Sequence, residues 1–195
     1  MRYSEITESS IQDKVHQIWH ECKPFLEASN GIPLYRGMKR MANAGAILKK
    51  RVRLDDRTPK DMPGDLHNAI NNFFIDKFGE GFRNAMFCSG DDTEATAYGA
   101  LYQIFPVGDF TYVWSPIISD LWQEYDGYAA EEGGEEDDIG YGFMGDVVHR
   151  GQWKNNDLTG AIKSGHEIMI RCESYYAVRL TNNKEGEAAI KLINK

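Results

Sequence analysis

Three polar residues stand at the ends of short apolar stretches, and their types could serve ligand binding or catalysis together. Arg36 ends one stretch and precedes Gly37, Ser89 follows the run AMFC, and Glu167 opens the run IMI. An arginine beside a glycine can contact a diphosphate that must approach the backbone closely. A serine at a strand-to-helix turn offers a hydroxyl near backbone N–H donors. A glutamate at a strand start can act as a catalytic carboxylate.

Each of these residues also has an ordinary structural interpretation. Arg36 can be a surface arginine that ends an edge strand, and Ser89 can belong to a plain helix-capping turn, where serine and aspartate are expected. Glu167 can be an exposed or ion-paired residue at the edge of a core strand. Taken singly, the structural interpretation is favoured for all three. The functional one depends on whether the fold brings them together.

Other candidates for metal or nucleophilic chemistry are weaker. His16 and His20 are spaced i, i+4 in a helical segment, but no glutamate lies between them in an HExxH arrangement. We therefore predict no metal site. Cys88, beside Ser89, could act as a nucleophile, but the sequence indicates no base for it.

The composition fits one globular domain in a reducing compartment. The 195 residues are 42% hydrophobic, which excludes a disordered chain. The formal charge of −8 argues against a general nucleic-acid binder. Three widely spaced cysteines form no disulfide framework. With no apolar run of membrane-spanning length and no secretory signal, we expect a cytoplasmic protein without membrane partners.

Positive charge is concentrated in one basic segment, residues 36–60. It holds nine Lys and Arg residues: Arg36, Lys39, Arg40, Lys49, Lys50, Arg51, Arg53, Arg57 and Lys60. Such a segment could attract a phosphorylated ligand. A solvated surface is the favoured interpretation, since charge runs are usually exposed.

The pattern of apolar residues predicts an α+β fold in a single domain, 1–195, with an N-terminal helical extension over 1–30 and a core over 31–195. We expect helices at 9–28, from 66 to 78 and at 93–103, and an exposed acidic loop at 125–156 that contains EEGGEEDD at 131–138. Pro24 should end or kink the first helix. We expect strands at 32–37, 46–54, 84–89, 110–114, 167–171 and 175–180.

In order, the motifs LYRG, FCSGDDTEATAYG and HEIMI resemble those of the ADP-ribosyltransferases of the Arg–Ser–Glu class. The resemblance covers about 145 residues of the chain, from Leu34 to Val178. It implies a split, mixed β-sheet that binds NAD as a substrate. By this resemblance Arg36, with Gly37 beside it, contacts the diphosphate, and Ser89 orients the nicotinamide ribose and holds the glutamate. Tyr98 stacks on the nicotinamide, and Glu167 is catalytic. A looser resemblance is to uncharacterised bacteriophage-encoded proteins.

Two departures from the family's pattern bear on the activity. Only the first serine of its Ser–x–Ser motif is present, because Asp91 stands at the second position. Gly165 stands where arginine-modifying members carry Glu or Gln, so we expect an acceptor that is not arginine or that the sequence does not identify, with a protein favoured over a nucleic acid. Three alternatives remain open: a catalytically degenerate binding or phage structural or host-takeover protein, an NAD glycohydrolase, and a hydrolase with Cys88 or Ser89 as its nucleophile.

Overall fold

The structure, a computed structural model, describes residues 3–39, 45–54, 62–133 and 135–194. Its helices are α1 (Tyr3–Glu21), α2 (Lys23–Ser29), α3 (Gly64–Phe78), α4 (Asp92–Thr96), α5 (Leu121–Glu132), α6 (Glu136–Phe143), α7 (Leu158–Ser164) and α8 (Lys184–Ile193), with a π-helical turn at Met144–Val148. Its strands are β1 (Tyr35–Met38), β2 (Ile47–Arg51), β3 (Met86–Ser89), β4 (Ala100–Pro106), β5 (Thr111–Trp114), β6 (Glu167–Arg171) and β7 (Ser174–Arg179). The fold is therefore α+β, as predicted.

The strands described form a single sheet in the order β2-β7-β4-β1-β3-β6-β5, and all of their pairings are antiparallel. The expectation of a mixed sheet is thus wrong for the described residues. Between β1 and β3 the ladder has one residue pair, Tyr35 opposite Ser89, whereas the neighbouring ladders hold four or more. The two strands diverge beyond this pair and leave a gap in the sheet.

Helices cover both faces of the sheet, because alternate strand residues are apolar on both sides. On one face Cys88, Ile168 and Ile170 belong to a core cluster with residues of α1, α2, α7 and α8. On the other face Val113 and Met169 belong to a second cluster with residues of α3, α5 and α6. The gap between β1 and β3 lies between these two layers of helices.

The predicted first helix is two helices in the structure. Helix α1 ends at Glu21, and α2 starts at Lys23 with Pro24 in its first turn. Proline has no N–H to donate to a preceding turn, but it fits a first turn, where that N–H would have no helical partner. The interruption of the first helix that Pro24 predicts is confirmed, as an end at Glu21 and a new start at Lys23. The predicted helix 66–78 is also confirmed and ends at Gly79, whose φ is +82°.

The prediction of one helix over 93–103 is wrong. Helix α4 ends at Thr96, and the chain enters β4 at Ala100. Gly99 between them has a φ of +134°, which a right-handed helix does not allow. Strand β4 then pairs with β1 on one side and β7 on the other, and these tertiary pairings override the local helical pattern.

The prediction of a loop at 125–156 is also wrong, although the described residues of the acidic run whose burial is given (131–133, 135 and 138) are exposed as expected. Helices α5 and α6 and the π-helical turn occupy most of this segment. Tyr125, Phe143 and Val148 are buried against the second core cluster, which favours helices despite the many acidic and glycine residues. Part of the 131–138 run, Gly134, lies outside the described residues. Helix α8, which the sequence analysis did not predict, begins at the capping residue Asn183.

Candidate functional site

A cleft of about 390 Å³ opens where β1 and β3 diverge. Its walls include all five residues that the sequence analysis singled out for NAD chemistry: Arg36, Gly37, Ser89, Tyr98 and Glu167. These residues come from β1, β3, the α4–β4 connection and β6. The fold therefore brings together positions that are up to 131 residues apart in the chain. A cavity of this size is in the range of small-molecule sites.

Ser89 ends β3 and Glu167 begins β6, directly opposite it in the antiparallel ladder. Opposite residues point to the same face, so the hydroxyl and the carboxylate share one side of the sheet. The Ser89 hydroxyl donates to the Gly165 carbonyl and accepts a hydrogen bond of 2.9 Å from the Asp91 N–H. These two bonds tie the end of β3 to both the α4 and α7 segments.

Arg36 lies on β1, across the gap from Ser89. Its neighbour Tyr35 is opposite Ser89, so alternation directs Arg36 away from the face that holds Ser89. Its charge acts on the Cys88 thiol, and its Nε is buried without a hydrogen-bond partner in the described residues. Both Arg36 and Cys88 nevertheless line the cleft that opens where β1 and β3 diverge.

Gly37 allows β1 to approach the end of α4. A Cβ at this position would lie 1.9 Å from the Ala95 carbonyl oxygen and 2.9 Å from the Tyr98 Cβ. No side chain fits in that space without a shift of backbone. The glycine therefore sets how closely the wall that carries Tyr98 lies against β1.

Tyr98 and Asp120 form a bridge at the rim of the cleft. The Tyr98 hydroxyl donates a 2.7 Å hydrogen bond to Asp120 Oδ2, while the other carboxylate oxygen of Asp120 accepts from N–H groups in the first turn of α5. Partial burial, and then the bond to Asp120, raise the pKa of Tyr98 above its usual value. The residue is still 54% exposed and lines the cleft.

Arg83 is the site residue that the sequence analysis missed. Its guanidinium Nη1 lies 3.6 Å from Glu167 Oε1, and the exposed fractions of the two side chains are only 5% and 11%. The group is held over the Phe87 ring, 4.8 Å from its centroid. Desolvation lowers the pKa of Arg83, and the charge of Glu167 opposes that effect. Nothing in the segment GFRNAMF distinguishes this arginine from a surface residue.

Gly165 caps α7 with a φ of +74°. A residue with a side chain would be strained at this φ. The Gly165 backbone carbonyl also accepts a hydrogen bond from the Ser89 hydroxyl. The position that the sequence resemblance aligns with the acid of arginine-modifying enzymes is thus a left-handed turn that favours glycine. Asp91, at the second position of the Ser–x–Ser pattern, caps α4 through bonds to two backbone N–H groups.

The basic segment does not form a cleft wall. Of its described members, only Arg36 lines the cleft, and Lys49 and Arg51 lie on the edge strand β2, paired with Glu21 and Glu173. The solvated-surface interpretation fits these members. Three further members, Arg40, Arg57 and Lys60, lie outside the described residues.

The Cys88 thiol is not prepared for nucleophilic attack. Burial raises its pKa to about 12, although the charge of Arg36 works in the opposite direction. A neutral thiol is a poor nucleophile. In the part of the chain that the structure describes, no group of three or more His, Cys, Asp or Glu residues could hold a metal ion. Within that same part, no helix is long and apolar enough to cross a membrane.

The chain matches no known family model, no curated protein and no solved structure.

Proposed function

We propose that this protein is an NAD-dependent mono-ADP-ribosyltransferase of the Arg–Ser–Glu class, with the split-sheet core typical of that class. It would cleave the bond between nicotinamide and ribose and transfer ADP-ribose to a non-arginine acceptor. The observation that carries the proposal is the convergence of Arg36, Ser89 and Glu167 on one cleft, at the point where the sheet divides.

The register between β3 and β6 supports this proposal further. In the Arg–Ser–Glu pattern, a serine hydroxyl and a glutamate carboxylate act on the same ligand. Ser89 lies opposite Glu167 on one face of the sheet, which is compatible with that requirement. Arg36 lines the same cleft from β1, with a buried Nε that has no hydrogen-bond partner in the described residues. A diphosphate is a ligand that can satisfy such a guanidinium.

In the proposed reaction, the bond between the nicotinamide nitrogen and ribose C1′ breaks, and its electron pair leaves with nicotinamide. The transition state carries positive charge on the ribose, which the Glu167 carboxylate stabilises electrostatically. A hydrogen bond from the ribose 2′-hydroxyl to this carboxylate would strengthen as the charge develops. C1′ then bonds to a nucleophilic atom of the acceptor, which releases a proton.

The surroundings of Glu167 and the charge of the chain indicate the class of acceptor. Gly165 supplies no carboxylate or amide to orient a guanidinium. The net charge of −8 disfavours a nucleic acid, and the described members of the basic segment other than Arg36 lie away from the cleft. We therefore propose a protein acceptor that presents a residue other than arginine.

A second candidate, a binding protein of the same fold without catalysis, is favoured by one observation. Arg83 forms a largely buried ion pair with Glu167, and its positive charge partly offsets the negative charge that would stabilise the transition state. The second serine of the family's motif is also replaced, by Asp91. Such a protein would bind NAD or another nucleotide and leave it intact.

The test is incubation with NAD labelled in its adenosine part, with and without a cell lysate, followed by measurement of free nicotinamide and of protein-bound label. Nicotinamide release together with label transfer supports the transferase. Release without transfer indicates an NAD glycohydrolase, and binding without release indicates the non-catalytic protein. Glu167→Gln should reduce release by at least about a hundredfold with little change in NAD affinity.

Glu173→Gln is the matched control for this test. Glu173 lies in the turn between β6 and β7, is 83% exposed and pairs with a surface arginine, Arg51. Its loss should leave release within about twofold of the wild type, since surface ion pairs contribute little. Wild-type release in the Glu167→Gln variant would show that another residue acts on the ribose.

A further inference from the structure

Arg83 is enclosed by apolar and sulfur-containing side chains. Its Nη1 and Nη2 lie 3.8 and 3.9 Å from the sulfur atoms of Met169 and Met62, and its guanidinium carbon lies over Phe87. The residue is only 4% exposed. A guanidinium in such surroundings has lost most of its hydration, and thioethers are weak hydrogen-bond acceptors.

A charge placed in these surroundings is stable only with an opposite charge nearby. Glu167 supplies it, 3.6 Å away, and Asp120 adds a weaker attraction from the start of α5. Replacement of one partner in a buried ion pair leaves the other charge uncompensated. Arg83 and Glu167 therefore depend on each other in a way that an exposed pair would not.

We propose that Arg83 is the positioning residue of the cleft: it fixes the Glu167 carboxylate at the start of β6 and holds it in the ionised form. The effect of Arg83 on catalysis rests on the function proposed above. Its effect on the position and ionisation of the Glu167 carboxylate is independent of that function. The sequence predicts that Ser89 holds the glutamate, but the single proton of the Ser89 hydroxyl is donated to the Gly165 carbonyl, so Ser89 does not donate a hydrogen bond to the carboxylate.

Several other groups face Glu167 and act on its ionisation. Tyr98 and Cys88 interact with its charge electrostatically; both are neutral at pH 7, and burial raises their pKa values further. Asp120 lies across the cleft, and His166 and His67 line its wall. Asp120 opposes a second negative charge in the cleft, whereas Arg83 favours it. Arg83 is in direct ion-pair contact with Glu167, at 3.6 Å.

The experiment is a carbon-13 NMR titration of the glutamate side-chain carboxyl groups in the full chain, with the Glu167 signal assigned by its loss in Glu167→Gln. In Arg83→Met the pH midpoint of that signal should rise by about one unit or more, because the opposite charge that favours ionisation is gone. Arg83→Lys, which keeps the charge, should restore most of the difference.

Arg171→Met is the matched control. Arg171 is another arginine with a carboxylate partner, Glu80, and its side chain bonds to the Gly81 carbonyl away from the cleft. This variant should leave the Glu167 midpoint within about 0.3 pH units of the wild type. An equal shift in Arg171→Met and Arg83→Met would indicate a general effect of net charge and would overturn the proposal.

If Arg83→Met alone does not fold, folding of the double variant Arg83→Met/Glu167→Gln tests the proposal instead. Recovery of folding in the double variant supports the ion pair, because both charges have been removed together. Failure to recover means that Arg83 is needed for packing only, and the proposal is overturned.

Activity is a separate readout of the same variants. If the proposed function holds, the pH profile of nicotinamide release in Arg83→Met moves to higher pH by the amount that the NMR midpoint moves. If wild-type protein releases no nicotinamide and the NMR midpoint still moves, the transferase proposal fails while the positioning of Glu167 by Arg83 stands. An unchanged midpoint overturns the positioning role whatever the activity.

Discussion

Ser89 and Glu167 face each other across the β3–β6 ladder, one at the last position of its strand and the other at the first. The rest of that ladder fixes this relationship, since Cys88 pairs with Ile168 and Met86 with Ile170. Both of these pairs are buried in the first core cluster. A slip of one residue would move Glu167 to the other face of the sheet and expose the buried pairs. The packing of the core thus holds the carboxylate beside the hydroxyl.

Replacement of Arg36 tests whether the β1 side of the cleft binds the diphosphate. Arg36→Met should raise the NAD dissociation constant about tenfold or more, because charge-assisted hydrogen bonds contribute about 1.5–3 kcal/mol each. Isothermal titration calorimetry measures the change. Arg51→Met, on the edge strand β2, is the control and should leave the affinity unchanged, as its side chain is 85% exposed and away from the cleft. Equal losses in both variants would contradict a specific phosphate contact.

Gly37→Ala should destabilise the protein through overlap of atoms. The added Cβ would meet the Ala95 carbonyl at 1.9 Å, and we expect a loss of about 1–3 kcal/mol in the free energy of unfolding. Gly127→Ala is the matched control. Gly127 lies within α5 with open space around it, so alanine should stabilise the protein by about 0.5–1 kcal/mol. Urea unfolding distinguishes the two, and equal effects would contradict close contact at Gly37.

Five residues of the cleft could be singled out from the sequence, because most of them stand at or near the ends of local elements. Strand ends are recognisable where apolar runs meet polar or turn residues, and β3 and β6 begin and end within two residues of prediction. The order of the motifs then identified Arg36, Ser89 and Glu167, and the structure brings all three to one cleft.

What could not be predicted depends on contacts between distant segments. Arg83 belongs to the site because it forms an ion pair with Glu167, 84 residues further along the chain. No local sequence pattern indicates that pairing. Strand β4 has a locally helical pattern that pairing with β1 and β7 overrides. In the 125–156 segment, the few buried residues, such as Tyr125 and Phe143, decide the helices, while composition gave the opposite indication.

The three cysteines should be inert in the native protein. Cys22, Cys88 and Cys172 are buried, and burial raises the pKa of each thiol to about 12. Iodoacetamide reacts with the thiolate form of cysteine. At pH 8 it should therefore leave all three cysteines of the native protein unmodified, over a period in which it modifies all three in the urea-unfolded chain. Mass spectrometry counts the modified residues. Rapid native modification of Cys88 would revive its interpretation as a nucleophile.

The bridge between Tyr98 and Asp120 should make stability depend on pH in the alkaline range. Burial and the bond to Asp120 raise the pKa of Tyr98 in the folded state, whereas in the unfolded state the phenol ionises near pH 10. The neutral phenol is therefore favoured by folding. Its contribution to stability is complete below about pH 10 and is lost as the pH rises towards the folded-state pKa.

Tyr98→Phe should therefore weaken the loss of stability between about pH 10 and 11.5, because one phenol no longer ionises preferentially in the unfolded chain. Urea unfolding at a series of pH values measures the slope. The same curves at pH 8 provide the control, since there the phenol is neutral in both states and only the hydrogen bond, worth about 0.5–1.5 kcal/mol, is lost. Asp120→Asn, which keeps an acceptor oxygen but removes its charge, should give an intermediate slope. A slope in Tyr98→Phe equal to that of the wild type would show that the bridge does not persist in solution.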